Sequence, residues 1–135
     1  MARPERKDVA VGFGLVGLLT ALALLAFGDT RILDATWTGQ IGVVIIAGPS
    51  AWLAGMACGW MFGRPKAEGW VLASLGACLS TILGAAIGGN IVFPILGTIM
   101  APSAILDEAI AHPMIIIVWL ALMASMHVIL LKTNG

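Results

Sequence analysis

The sequence predicts an all-α integral membrane fold, a four-helix bundle, and three observations carry that expectation. Sixty per cent of its 135 residues are apolar and ten per cent are charged, where a soluble domain carries about 25% charged residues. The fourteen charged residues gather at positions 3–8, 29–34, 64–68, 107–108 and 132. Four stretches free of charge are each long enough to cross a hydrocarbon core about 30 Å thick, which needs about 20 helical residues. With so few polar side chains, no water-facing surface can be covered, and lipid is the expected solvent.

The four expected spans are residues 9–27, 37–62, 69–93 and 114–131, within one domain covering 1–135. None alternates apolar with polar residues as a barrel strand does, and helices satisfy every backbone group inside lipid. The basic start of the first span resembles a signal peptide, but the segment reads as a retained helix. Six of the seven basic residues (Arg3, Arg6, Lys7, Arg64, Lys66 and Lys132) fall on one side of the bundle and Arg31 on the other. The positive-inside rule then places both termini in the cytoplasm. Trp37, Trp60 and Trp70 mark span ends, where interfacial indoles belong. Residues 94–106 are uncharged but too short to cross, and Pro94 and Pro102 interrupt them. They predict a short interfacial or re-entrant segment after the third helix, ending at a solvated acidic pair, Asp107 and Glu108.

Small residues are the clearest pattern inside the spans. On the third helix Gly69, Ala73, Ala77, Thr81, Ala85 and Gly89 recur every four residues, beside Gly76, Ser80, Gly84 and Gly88. The second helix carries Ala47, Ala51, Gly55 and Gly59, and the first carries Ala10, Gly14, Gly17 and Ala21. Bare faces of this kind let helix backbones approach closely, and that contact drives association in lipid. They serve packing within the bundle or an interface with another copy or subunit. The last helix is bulky almost all round and is expected to be the most lipid-exposed. Pro49 bends the second helix.

Chemistry is sparse. No Asp, Glu, Lys or Arg falls within an expected span, so the usual carriers of coupled transport are missing there. His112 and His127 lie at opposite membrane faces and read as interfacial, and Cys58 and Cys78 read as packing residues. Ser50, Ser74, Ser80 and Ser125 have no base nearby in sequence. Neutral net charge gives no footprint for nucleic acid. No cofactor or metal site is expected, and no enzyme.

The strings Ala51-Trp52-Leu53-Ala54-Gly55, Met61-Phe62-Gly63-Arg64 and Leu83-Gly84-Ala85-Ala86-Ile87-Gly88-Gly89 follow one another in an order that resembles the small bacterial membrane proteins called transglycosylase-associated. The resemblance covers about residues 45–130. That family has three spans, a Gly-Arg turn and a similar glycine-rich run in its middle helix. This chain departs from it in an added first helix and in the segment between Pro94 and Pro113. The resemblance implies a small protein of the bacterial inner membrane and carries over no functional residue.

The expected role is a non-enzymatic accessory or scaffold subunit of a larger membrane assembly or homo-oligomer, with lipids and other subunits as partners. The alternative is a small oligomeric channel or transporter subunit, its polar path lined by Thr20, Ser80, Thr81 and Asn90. A third possibility is a lipid or pigment held between the glycine and alanine faces.

Overall fold

A computed structural model describes residues 6–28 and 37–133. The basic residue Arg3 and the cluster around Arg31 fall outside them. The elements are α1 (Arg6–Phe27), α2 (Trp37–Cys58), a 3-10 turn (Gly59–Met61), α3 (Lys66–Val92), α4 (Leu96–Ala111) and α5 (Pro113–Thr133). No strand occurs among the described residues. Four of the helices, α1, α2, α3 and α5, are long and apolar enough to cross a membrane. The chain is a multi-pass membrane protein built as an all-α four-helix bundle.

Antiparallel α1 and α2 form the tightest pair. Gly14 lies against Gly48 and Trp52, Gly17 against Ala47 and Ala51, Phe13 against Gly55, and Val9 against Gly59. The small rows read on these two helices thus meet each other, large side chain over glycine. On the other side of α2, Gly84 and Gly88 of α3 sit over Ala51, Ala54, Ser50 and Ile46. α5 packs on α1, and α4 packs mainly on α3.

One apolar cluster gathers Val9, Phe13, Met61, Phe62, Met126 and Leu130. It places the start of α1, the α2–α3 turn and the end of α5 together, at what is called here the Arg64 end. Phe13 and Phe62 meet edge to face with centroids 4.9 Å apart, the geometry that aromatic quadrupoles favour.

Two expectations need correction and one gains detail. The segment after α3, expected to be interfacial or re-entrant, is a 16-residue helix, α4, with Pro102 inside it. It turns back on α3 because Gly89 and Gly97 have no Cβ, and one added at Gly97 would run into the backbone of Gly89. The acidic pair is not solvated as a unit. Asp107 is exposed while Glu108 is 8% exposed, since successive residues point about 100° apart around a helix. Nor is α5 the most exposed span. Its share of buried residues, 28%, exceeds the 22% of α2 and of α3. Met123 and Met126, flexible enough to fill irregular gaps, seat it in the core without a small-residue seam.

Candidate functional site: a chamber beneath α4

Where α4 crosses back, it roofs a chamber of about 420 Å³ between the helices. α1 supplies Phe13, Val16, Gly17, Thr20 and Leu24, the i, i+3, i+4, i+7, i+11 face of a helix. α4 supplies Gly97, Met100, Ala101, Ala104, Ile105 and Glu108, again one face. Its other face, including Leu96, Ile99, Leu106 and Ile110, is exposed. α2 and α3 line the sides with Ala47, Ser50, Gly84, Ala85 and Gly88, and Trp119 and Met123 of α5 close the deep end. The small-residue row of α3 therefore does two things. Gly84 and Gly88 admit α2, and the space not taken up becomes the chamber.

Few polar groups reach it. Ser80 and Thr81 donate to the Ala77 carbonyl at 3.0 and 2.8 Å, the back-bonding usual for hydroxyls on membrane helices. Trp119 Nε1–H donates to Thr81 Oγ1 at 3.0 Å and ties α5 to α3. Among the described residues, the hydroxyls of Thr20 and Ser50 have no hydrogen-bond partner although both are buried, Ser50 at 2% exposure. Glu108 is the one ionisable side chain among the described lining residues. His112 Nε2 lies 3.3 Å from its Oε1.

Of the residues expected to line a polar path, Thr20, Ser80 and Thr81 do meet in the chamber. Asn90 does not line it. Its Oδ1 accepts the Ile95 N–H at 2.7 Å, holding Ile95 at φ 69°, ψ −60°, the strained centre of a γ-turn. Its role is to fix the α3–α4 turn. Elsewhere in the expected packing set, Ala73 and Ala77 belong to the core cluster, and Gly76 lies under Met61 and Phe62. Gly89 meets Gly97 and Ala101.

His127 is a further correction. It is 1% exposed rather than interfacial. Its Nδ1 accepts the Gly63 N–H at 3.3 Å, and the Trp70 ring covers it at 4.5 Å between centroids. Because Nδ1 accepts, the neutral ring carries its proton on Nε2. His127 therefore clamps the α2–α3 turn to α5, beside a smaller groove of about 200 Å³ between α3 and α5.

No protein-family model, curated protein or solved structure matches this chain. The resemblance noted in the sequence rests on its residues alone.

Sequence reasoning missed Glu108, Ser50 and Trp119. A signal for the first was present. Gly97, Ala101, Ala104 and Glu108 are spaced four, three and four apart, a helical stripe whose fourth member is acidic.

Proposed function

We propose that this chain is a non-enzymatic membrane subunit that holds one hydrocarbon chain of a lipid or lipid-like molecule in the chamber beneath α4. The observation that carries the reading is the chamber's shape. Its α1 wall runs from Phe13 to Leu24, about 16 Å at 1.5 Å per residue. Spread over that length, 420 Å³ gives a cross-section of roughly 25 Å², the width of one column of carbons that sit about 4 Å from their neighbours. The volume also falls in the range of about 300–1,000 Å³ typical of small-molecule sites. Walls this far apart forgo contacts. A hydrocarbon chain filling the space restores van der Waals contact along both walls.

An accessory role follows naturally. Among the described residues the chamber offers no nucleophile paired with a base, and its contribution to an assembly is to hold and present a molecule. The small-residue seams of α1, α2 and α3 are largely occupied within the chain, which favours a ligand-bearing bundle over one whose seams await a second copy. By the positive-inside rule, the Arg64 end faces the cytoplasm and α4 lies at the outer leaflet. The inner membrane of a bacterium is the setting that the sequence resemblance implies.

Native mass spectrometry of the full chain, extracted from membranes in mild detergent, tests the reading. One lipid bound per chain is expected, and it is lost in an Ala85→Leu/Ala104→Leu variant whose added methyls project into the chamber. Lipid retained equally by that variant overturns the assignment. Lipid-independent oligomers that conduct ions in liposomes favour the channel alternative instead.

A further inference from the structure

Hydroxyls on the helices of this chain commonly give their proton to the preceding turn. Ser74 donates to the Trp70 carbonyl, Ser103 to those of Ile99 and Met100, and Thr133 to that of Leu130, as Ser80 and Thr81 do to Ala77. Such back-bonding satisfies a hydroxyl where no water reaches it. Two chamber residues depart from that habit. Among the described residues, Ser50 Oγ and Thr20 Oγ1 are buried and have no partner, and Ser50 as a whole is 2% exposed. Both residues line the chamber. Gly88 faces Ser50, so closely that an added Cβ would lie 3.2 Å from Ser50 Oγ. Being glycine, it puts no side chain over the hydroxyl.

Depth decides what can satisfy these groups. The spanning part of α2 runs from Ile41 to Met61 and that of α1 from Asp8 to Phe27, with midpoints at Ala51 and between Gly17 and Leu18. Ser50 and Thr20 therefore lie within roughly 4 Å of the middle of their spans, at 1.5 Å per residue. The centre of a bilayer offers no water, and methylenes accept no hydrogen bond. A plain hydrocarbon tail would bury both hydroxyls and satisfy neither, which is unfavourable for a polar group. The two are also stepped along the chamber. Gly14 meets Gly48 and Trp52, and Gly17 meets Ala47 and Ala51, so Ser50 stands level with the stretch between those glycines. Thr20 is about one helical turn, roughly 6 Å, nearer the α4 end.

We infer that the chain held in the chamber carries an oxygen, as a keto, hydroxyl or ether group, on the part of its length that crosses the membrane centre. The inference rests on the chain-binding reading and names the class of chain. Ser50 and Thr20 donate to that oxygen, and an unsubstituted chain of the same length fills the space without taking their protons.

The test titrates tetradecanol and its keto derivatives at carbon 2, carbon 6 or carbon 10 onto the delipidated full chain, read by native mass spectrometry. All four probes share one uncharged head, so the comparison reads the chain alone. A ketone at carbon 6 or carbon 10 is expected to bind roughly three- to tenfold more tightly than tetradecanol, the factor that one net hydrogen bond supplies. The carbon-2 ketone, whose oxygen stays at the mouth, should bind no better than tetradecanol. Ser50→Ala/Thr20→Val removes both hydroxyls and should abolish the advantage. That variant should unfold at or above the wild-type temperature, since it loses two unpaired buried groups, and the wild-type comparison stands without it. Equal binding of all four probes by the wild type overturns the oxygen inference and leaves chain binding in place. An advantage shared by the carbon-2 ketone, or one that survives in Ser50→Ala/Thr20→Val, also overturns it by locating the contact elsewhere. Failure of all four probes to bind removes the chain-binding reading, and the inference with it.

Discussion

Two glycines in the second half of α3 give the sharpest test of how the chamber is built. Gly84 and Gly89 differ by five residues, and both lose an equal amount of backbone freedom when changed to alanine. Their surroundings differ. A Cβ on Gly84 would find its nearest neighbours at 3.6–3.7 Å, on Ala51, Ala54 and Ser50, an ordinary contact. A Cβ on Gly89 would lie 2.5 Å from Ala101 Cβ and 2.8 Å from the Gly97 carbonyl carbon, and would clash with the Gly97 oxygen. Relief requires α3 and α4 to separate by about 1 Å, given that carbon contacts settle near 3.5–4.0 Å. Overpacking of this kind costs about 1–3 kcal/mol, whereas alanine in an uncrowded helix gains up to about 1 kcal/mol over glycine. Reversible unfolding in mixed micelles should therefore rank Gly84→Ala at or above the wild type and Gly89→Ala below Gly84→Ala, with a gap of about 1–3 kcal/mol, the overpacking cost alone, since the propensity gain is common to both. Equal stability of the two variants would refute the close approach of α4 to α3, and with it the roof of the chamber.

Other outcomes follow from single contacts. Ile95 is 81% exposed and held at φ 69°, ψ −60° as the centre of a γ-turn closed by the Leu96 N–H on the Pro94 carbonyl at 2.9 Å, a strained conformation for a branched residue, so Ile95→Gly should stabilise the fold by about 1 kcal/mol in the same unfolding assay. Asn90→Leu removes the acceptor of the Ile95 N–H and should destabilise by about 1 kcal/mol, with helical content away from the turn intact. A double-mutant cycle between Trp119→Phe and Thr81→Val should give a coupling of about 0.6 kcal/mol, the average for hydrogen bonds between membrane helices. His127→Phe keeps the ring but strands the Gly63 N–H; a cost of about 1–3 kcal/mol should appear together with faster proteolysis at the α2–α3 turn.

The bundle was legible because its signal is an absence of charge spread over whole spans. Nineteen uncharged residues at 9–27 admit little else, and the helices found start and stop within a few residues of the expected ends. α4 was harder to read. It is shorter than a span, it contains Pro102, and Ile95 enters it in a conformation that no local propensity favours. Its helix is held in place by Gly89 and Gly97 across the turn, a tertiary contact. Glu108 was hidden by its neighbour, since two adjacent carboxylates look like a solvated loop until a helix turns one inward. His127 was misplaced for a related reason: the polar group that it serves, Gly63 N–H, is sixty-four residues away. The small-residue rows were visible, but sequence could not divide them between seam and chamber. That division depends on which neighbour faces each glycine. Gly76, whose added Cβ would meet Phe62 and Met61, is seam, while Ala85 faces the chamber.

A high-resolution density map of the chain in lipid nanodiscs bears most directly on whether a hydrocarbon chain occupies the bundle. A continuous tube of density between α1, α2 and α3, entering beside Glu108 and ending near Trp119, is the predicted result. A collapsed chamber, with α3 moved against α1 and their side chains in contact, would contradict it.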